Sequence, residues 1–287
     1  MARSLLITGA STGIGRACAL AFDREGWTVF AGVRREADGV SLAAEASPRL
    51  QWLILDVTDP SHLESARNSV DRALGGRGLD ALVNNAGVAI AAPVEFVSRD
   101  DLRSQFEVNV VGLVGVTQAF LPLLRRARGR IVNIGSIAGR VTTPLMSPYC
   151  ASKHAVEAIT DALRLELQPW GIEVSVIEPG VVATPIWDKG TAHLQQRLAT
   201  MPAVALELYA PLIAAFRAIL RRTPGGAMST DTVVRAVRHA LDSRRPRPRY
   251  VVGRVAKVRL LLQTILPRRW MDGIIHRFLR REAAQAA

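Results

Sequence analysis

Ser136, Tyr149 and Lys153 lie close together in the sequence, and their side chains could together transfer a proton. Ser147 and Pro148 predict the start of a helix, because serine caps free backbone N–H groups and proline tolerates the first helical position. Tyr149 and Lys153 would then lie at positions i and i+4 on one helical face. An ammonium group near a phenol stabilises the phenolate, so we expect Lys153 to lower the pKa of Tyr149 from its usual value of about 10. The pattern predicts that Tyr149 is a general acid and base, although a chance pair of surface residues has the same spacing.

A glycine-rich turn near the N-terminus predicts a nucleotide-binding site. An apolar strand over residues 5–7 is followed by the sequence TGASTGIG at residues 8–15 and by an amphipathic segment from Ala17 to Phe22. Glycine lets the backbone approach a pyrophosphate closely, and a helix N-terminus offers N–H donors and the positive end of its dipole. The spacing TGxxxGxG differs from the usual GxGxxG fingerprint. Its place between a strand and a helix favours dinucleotide binding.

The end of the second predicted strand, Thr28 to Val33, indicates which dinucleotide binds. In dinucleotide-binding folds this point lies beside the adenosine ribose, where an acidic residue bonds the 2′-hydroxyl and an arginine accommodates a 2′-phosphate. The strand ends without an acidic residue, and Arg34 and Arg35 follow it. We therefore expect NADP(H), with Arg34 at the phosphate. The alternative is NAD(H), with Glu36 and Asp38 as the nearby acids.

Short apolar strands alternate with helical segments along the chain. Further strands are predicted over residues 51–55, 79–83, 130–135, 173–178 and 250–253, with helices from residue 59, over 98–128 with a bend near Pro122, and over 231–241. This order predicts an α/β fold, a Rossmann-type doubly wound parallel sheet of about seven strands with helices on both faces. Ligands of such sheets bind beyond the carboxyl ends of the strands, where Gly9, Asp56, Asn84 and Ser136 fall.

The order of motifs resembles that of the classical short-chain dehydrogenase/reductase family. The matching motifs are TGxxxGxG from Thr8 to Gly15, Asp56-Val57 after the third strand, NNAG at residues 84–87, Asn109 in a helix, Ser136, YxxxK at Tyr149 and Lys153, and PGxVxT at residues 179–184. The resemblance covers residues 1 to about 190 and shows no departure at a catalytic position. The segments after it resemble the hydroxysteroid and retinol dehydrogenase branch.

The resemblance implies a catalytic set of Asn109, Ser136, Tyr149 and Lys153. Ser136 would donate a hydrogen bond to a carbonyl oxygen, Tyr149 would exchange a proton with it, Lys153 would also bond the nicotinamide ribose, and Asn109 would hold a water in a proton relay. The alternative role for Asn109 is a hydrogen bond in helix packing. The expected cofactor-binding residues, besides Tyr149 and Lys153, are Gly9, Ser11, Thr12, Gly13, Ile14, Gly15, Arg34, Asp56, Val57, Asn85, Ala86, Gly87, Pro179, Gly180, Val182 and Thr184.

Apolar residues around these motifs predict a lipophilic substrate. Residues 188–228 would form an apolar helical lid, and residues 88–91 with Val141, Leu145 and Met146 would wall the pocket. A wall without fixed charges cannot offset the desolvation of a carboxylate or polyol, whereas each buried CH₂ group contributes about 0.8 kcal/mol. We expect an NADP(H)-dependent oxidoreductase that interconverts a steroid-, retinoid- or lipid-like secondary alcohol and its ketone or aldehyde. The alternatives are an NADP(H)-binding redox sensor with little turnover and a reductase of small polar carbonyls.

Positive charge is concentrated in the C-terminal third of the chain. The net charge is +12, and residues 1–187 hold 18 Lys or Arg against 19 Asp or Glu, whereas residues 188–287 hold 19 against 6. We expect a single Rossmann-fold domain over residues 1–253 and a basic amphipathic extension over residues 254–287. Neither apolar stretch of the extension reaches the ~20 residues of a transmembrane helix. The extension would pack on the lid or a second subunit, or lie on an anionic membrane.

Other features exclude several kinds of site. The 2 cysteines, Cys18 and Cys150, lie far apart without metal-like spacing, so we expect neither a disulfide nor a metal site. The basic residues lack the aromatic and helix-turn-helix features of nucleic-acid binding. The N-terminus has no signal-peptide anatomy. We therefore expect a cytoplasmic protein, peripheral to the inner face of a membrane if the extension binds lipid, that forms a homodimer or homotetramer.

Overall fold

A 7-stranded parallel sheet forms the centre of the protein in the computed structural model, which describes residues 2–185, 194–195 and 197–285, apart from the side chains of residues 222–226. Its strands are β1 Ser4–Ile7, β2 Thr28–Val33, β3 Leu50–Ile54, β4 Ala81–Asn84, β5 Arg130–Ile134, β6 Glu173–Pro179 and β7 Arg249–Val252. They lie in the order β3-β2-β1-β4-β5-β6-β7, and every neighbouring pair is parallel. The chain thus proceeds outward from β1 in one direction and from β4 in the other, which confirms the predicted doubly wound sheet.

Helices cover both faces of this sheet. They are α1 Gly13–Arg24, α2 Glu36–Ala43, α3 Pro60–Leu74, α4 Arg99–Phe106, α5 Gly112–Ala127, α6 Ser147–Leu167, α7 Ala203–Leu208, α8 Ala210–Gly226, α9 Thr230–Asp242, α10 Arg254–Ile265 and α11 Arg268–Ala284. Buried residues of α1 and α9 form a core with one face of the sheet, and those of α3, α5 and the end of α6 form a second core with the other face. Residues 194–195 and 197–200 are also helical.

Helix starts follow the local sequence in one case and depart from it in another. At α3, the Asp59 carboxylate accepts hydrogen bonds from the backbone N–H groups of Ser61 and His62, and Pro60 occupies the first helical position. At α6, the prediction that Ser147 caps the helix is wrong. Met146 is the residue before the helix, and Ser147 already lies within it.

The helix predicted over residues 98–128 is interrupted near its middle. A π-helical turn, Glu107–Val111, separates α4 from α5, and the N–H of Gly112 bonds the carbonyl of Glu107. Pro122 lies inside α5, so the bend predicted near it stays a prediction, and the π-helical turn was not predicted. By length and composition the stretch Arg99–Ala127 could cross a membrane, but 44% of its most apolar window is buried in the protein. Core helices commonly pass that test, and this one supplies part of the second core.

The lid and the C-terminal extension lie against each other. Leu194, Leu198, Ile213, Phe216 and Leu220 form a third apolar core together with Ala91 and Leu145. Helix α11 packs along α8, so the extension contacts the lid. The lid residues 188–193 and 196 lie outside the described part of the chain.

Candidate active site

A cleft of about 750 Å³ lies beyond the carboxyl ends of the strands. It is located between β1 and β4, where the order in which the chain adds strands to the sheet reverses. Most of the residues predicted for the site line it. They are Gly9, Ser11, Thr12, Gly13, Ile14, Arg34, Asp56, Val57, Asn85, Ala86, Gly87, Ser136, Tyr149, Lys153, Pro179, Gly180, Val182 and Thr184. Gly15 and Asn109 are not part of the wall and lie behind it.

The glycine turn leaves no room for larger side chains. Gly9 and Gly13 have φ angles of +66° and +58°, a region that favours glycine. A Cβ atom on Gly15 would lie 2.3 Å from the carbonyl oxygen of Gly9. The Thr12 side chain does not cap α1, so the first N–H groups of this helix are available to a ligand. The turn therefore fits a pyrophosphate, the group that its sequence predicts it to bind.

The NNAG motif holds the glycine turn in place. The Asn85 side-chain amide donates to the carbonyl oxygens of Thr8, at 2.9 Å, and Gly9, at 3.1 Å. The Thr8 hydroxyl accepts hydrogen bonds from the backbone N–H groups of Asn85 and Ala86, both at 3.0 Å. Asn84 is buried beneath the site and donates to Thr117 and Asn133. The motif thus acts as a support for the nucleotide-binding turn.

Of the two arginines at the end of β2, Arg34 lines the cleft and Arg35 pairs with a carboxylate. Arg34 lines the cleft and has no hydrogen bond or ion pair with any described residue. Arg35 makes hydrogen bonds of 3.0 Å to both carboxylate oxygens of Asp38. Asp38, one of the two acids predicted for a ribose hydroxyl, is therefore engaged by a neighbouring guanidinium group, and the other, Glu36, does not line the cleft. The arrangement fits a phosphate near Arg34 better than a free ribose hydroxyl.

Helix α6 places Tyr149 and Lys153 in the cleft, and the loop after β5 brings Ser136 beside them. The Ser136 hydroxyl accepts a hydrogen bond from the N–H of Ala138 at 3.1 Å. The Lys153 ammonium donates to the carbonyl of Ile134 at 2.7 Å and lies 5.9 Å from the centre of the Tyr149 ring. These contacts fix the lysine against the sheet and leave the phenol facing the cleft.

The expected effect of Lys153 on Tyr149 is not observed. Burial raises the pKa of Tyr149 above its usual value, and the hydrogen-bonding contribution of Ser136 opposes this rise. Burial lowers the pKa of Lys153 to about 8, and the Glu157 carboxylate acts in the opposite direction. The physical reason is that the ammonium group is directed at a carbonyl on β5 and is itself desolvated.

Asn109 connects two elements behind the cleft. Its side-chain oxygen accepts from the N–H of Val88 at 2.9 Å, and its amide group donates to the Val88 carbonyl and the Ser152 hydroxyl, each at 3.0 Å. Ser152 in turn donates to the carbonyl of Tyr149 at 2.8 Å. The side chain therefore makes the packing hydrogen bonds of the alternative interpretation. A role in a proton relay stays a prediction.

Sequence reasoning missed a cluster of charges under Lys153. Glu157 lies one helical turn beyond it and pairs with Arg249 of β7 at 2.6 Å. Glu178 of β6 is fully buried and lies 3.5 Å from the same arginine. Burial and the nearby Glu178 raise the pKa of Glu157 to about 7. The spacing of Glu157 from Lys153 could have indicated a contact, but its partners come from two strands distant in sequence.

The substrate end of the cleft is less apolar than predicted. Its apolar wall is formed by Val88, Ala89, Ala91, Met146, Phe216, Ile219 and Leu220. Ile90, Val141 and Leu145, which were expected in the wall, are buried and do not line the cleft. Arg103, Glu107 and Arg259 also line the cleft, so the expectation of a wall without fixed charges is wrong. Arg259 belongs to the extension, from which no site residue was predicted.

The chain is similar in sequence to known dehydrogenases and reductases. The family model described as short chain dehydrogenase matches residues 3–195. Retinol dehydrogenase 5 of Mus musculus is 36% identical over 290 residues, which cover 97% of this chain and 89% of the relative. An NADPH-dependent 3-dehydrocapnine reductase of Ornithobacterium rhinotracheale is 34% identical over 284 residues, covering 97% and 98%.

A solved structure agrees with the fold. The crystal structure of a short-chain dehydrogenase from Streptomyces avermitilis superimposes with a TM-score of 0.74 at 30% identity, covering 92% of this chain and 96% of the other. The similarity therefore extends beyond residues 3–195, which the family model matches.

Proposed function

This chain belongs to the short-chain dehydrogenase/reductase family of oxidoreductases, and from that premise we propose that it interconverts a lipophilic secondary alcohol and its ketone or aldehyde with NADP(H). The observation that carries the proposal is the shared cleft. Ser136, Tyr149 and Lys153 line it together with the glycine turn and the apolar lid residues Phe216 and Leu220. The similarity to a retinol dehydrogenase and to an NADPH-dependent reductase supports both the substrate class and the cofactor.

Several residues would hold the cofactor. The backbone of the turn from Gly9 to Gly13 and the start of α1 would bind the pyrophosphate, and Arg34 would bind the 2′-phosphate. The wall after β3, Asp56 and Val57, would border the adenosine. When bound, NADP(H) supplies or accepts the hydride.

The residues of the chain handle the proton and the carbonyl oxygen. The Ser136 oxygen already accepts from the N–H of Ala138, so its own proton is available to a substrate oxygen. Tyr149 is protonated at neutral pH, and burial raises its pKa further above the usual value of about 10, which suits a general acid in the reductive direction. Lys153, whose pKa burial lowers to about 8, still carries a positive charge at neutral pH and would bond the nicotinamide ribose when the cofactor is bound.

The two alternative functions have less support. A redox sensor would not need a phenol, a hydroxyl and a lysine arranged around one cleft. A reductase of small polar carbonyls would not need the apolar wall of Met146, Phe216 and Leu220.

A series of 2-alkanones of increasing length tests the proposal, with NADPH as the cofactor. We expect kcat/KM to rise by up to about fourfold per added methylene, the factor that ~0.8 kcal/mol corresponds to, until the cleft is filled. Tyr149→Phe should lower kcat by about 10²-fold or more across the series, because the proton donor is lost while the ring still packs.

Binding of NADPH, followed by its fluorescence, should survive in Tyr149→Phe. The matched control is Tyr209→Phe, which removes a hydroxyl that bonds Glu95 outside the cleft wall. A flat series with good turnover of small keto acids would favour the polar-carbonyl alternative. Binding of NADPH without turnover of any ketone or alcohol would favour the sensor.

We also propose that the extension contacts an anionic membrane at the cytoplasmic side. Trp270, Ile274 and Phe278 recur every four residues on α11 and are 66%, 45% and 49% exposed, which leaves an apolar stripe open on one face. Arg277 and Arg281 are near this stripe in the sequence.

Exposed Leu102, Val111 and Leu165 on the helices of the Rossmann domain would supply contacts for the expected homodimer or homotetramer.

A further inference from the structure

Arg259 of helix α10 places a guanidinium group in the wall of the cleft. Its Nη2 atom donates to the carbonyl of Thr142 at 2.9 Å and to the hydroxyl of Thr143 at 3.2 Å. Both partners belong to the loop between Ser136 and Tyr149. The C-terminal extension therefore supplies a cation to the part of the cleft that faces the catalytic tyrosine helix.

No carboxylate balances this cation within the described part of the chain. Neither oxygen bonded to Arg259 is charged, and burial lowers the pKa of the guanidinium. Arg103, another arginine of the wall, pairs with Asp100 and is largely exposed. A partly buried guanidinium with neutral partners favours an incoming anion, because charge-assisted bonds to a planar oxyanion use N–H groups that are otherwise poorly solvated.

We propose that Arg259 binds a carboxylate group carried by the lipophilic substrate. The proposal rests on the proposed function, since it concerns the substrate of the same cleft. The reacting carbonyl would lie at Ser136 and Tyr149, hydrocarbon would contact Met146 and the lid, and the charged end would reach the guanidinium. The ligand class is thus an amphipathic acid, in place of the uncharged lipid-like alcohol or ketone that the sequence suggested.

A purely mechanical role for Arg259 can be separated from this one. Gln263, one helical turn further along α10, donates to the carbonyl of Arg140 at 3.0 Å and so also ties the extension to the loop after Ser136. Gln263 carries no charge and does not line the cleft. It is therefore a matched control for the loss of a tether.

Calorimetric titration with decanoate and with 1-decanol tests the proposal on the full chain, in the presence of NADP⁺. The two probes share a hydrocarbon chain and differ in charge. We expect Arg259→Gln to weaken decanoate binding by about tenfold to a hundredfold, the range typical of a lost charge-assisted bond, and to change 1-decanol binding by less than about twofold. Arg259→Lys should retain part of the preference for decanoate, and Gln263→Ala should leave the ratio of the two affinities unchanged.

Several outcomes would overturn the proposal. Equal losses for decanoate and 1-decanol in Arg259→Gln would assign Arg259 a structural role, and unchanged decanoate binding would leave it no role in recognition. A raised KM for NADPH in the same variant would indicate that Arg259 binds the cofactor and not the substrate. If Arg259→Gln does not fold, as judged by circular dichroism, the Arg259→Lys comparison decides by the same ratio.

The proposal and the proposed function fail separately. Decanoate binding that depends on Arg259, in a protein that turns over no ketone or alcohol, would reject the reaction and retain the anion site. Turnover of 2-alkanones at rates independent of Arg259, with decanoate bound no better than 1-decanol, would retain the reaction and reject the anion site.

Discussion

Lys153 and Tyr149 share one face of α6, and their spacing suggests that the ammonium group lowers the pKa of the phenol. The structure shows a different contact for the lysine side chain. The ammonium group bonds the Ile134 carbonyl, and burial lowers its pKa to about 8. Tyr149 is left with a pKa raised by desolvation. At the residue scale the site therefore holds its proton on the phenol near neutral pH, which suits reduction of a carbonyl.

Arg34 determines the choice of cofactor in our interpretation. Arg34→Ala should raise the KM for NADPH by about tenfold to a hundredfold while changing the KM for NADH little, because a charge-assisted bond to the 2′-phosphate is lost. Steady-state kinetics with both cofactors would measure this. Arg35→Ala is the control, since Arg35 pairs with Asp38 and lies outside the cleft wall. Equal effects of Arg34→Ala on both cofactors would contradict the assignment.

At the scale of elements, the π-helical turn Glu107–Val111 sets the position of Asn109. The turn interrupts a helix that would otherwise run from α4 into α5, and Asn109 uses this position to bond both backbone groups of Val88. π-Helical turns inside α-helices frequently occur at functional sites. The element that carries Asn109 thus also fixes the loop that follows β4.

The extension is the element on which the membrane proposal depends. We expect the protein to co-sediment with vesicles that contain an anionic phospholipid, to bind neutral vesicles weakly, and to be released by high salt, since each basic residue near such a surface contributes about 1 kcal/mol and salt screens it. Trp270→Ser should reduce binding by removing exposed apolar area from α11.

Trp170→Ser is the matched control for that measurement. Trp170 is 47% exposed, lies outside the extension and stacks under Arg125. Equal losses for both variants, or binding to neutral vesicles that is as strong as to anionic ones, would reject an electrostatic and apolar contact through the extension.

At the scale of the whole molecule, a buried charge cluster joins the site to the far edge of the sheet. Glu157 of α6, Glu178 of β6 and Arg249 of β7 lie together, and Arg249 also pairs with Asp161. These three carboxylates share Arg249, and Arg140 also pairs with Glu178. Burial and then repulsion from Glu178 raise the pKa of Glu157 to about 7. Ionisation of this group therefore acts against the folded state.

The sign of the resulting pH dependence follows from linkage. The pKa of Glu157 rises from an ordinary value of 4.5 to about 7 on folding, so between these values the folded state holds a proton that the unfolded state releases. Its contribution to the free energy of unfolding falls as pH rises from 4.5 to 7. Lys153 titrates from about 8 upward and does not affect that window.

Glu157→Gln should remove this dependence. We expect the Tm of the variant to exceed that of the parent protein by about a few degrees more at pH 7 than at pH 5, because Glu157 of the parent is protonated at pH 5. Thermal unfolding by circular dichroism would measure it, with the exposed Glu173→Gln as the control. A Tm difference that is the same at both pH values would show that Glu157 ionises without cost.

The sequence by itself determined the sheet, the strand ends and the motifs that meet there. Alternating strands and helices have periods that local residue types encode, and parallel strands bring their carboxyl ends to one edge, so Gly9, Arg34 and Ser136 could be placed together before any coordinates. Their chemical roles stay predictions. The position of Tyr149 beside Lys153 likewise needs only the pitch of one helix.

Only the tertiary structure decided what surrounds those residues. Arg259 reaches Thr143 across 116 positions of the chain, and Arg249 reaches Glu157 across 92. Such contacts depend on how the extension and the last strand pack, which no local pattern specifies. The same holds for the pKa of Tyr149, since desolvation depends on the summed burial by many elements and can outweigh a neighbour that the spacing alone makes prominent.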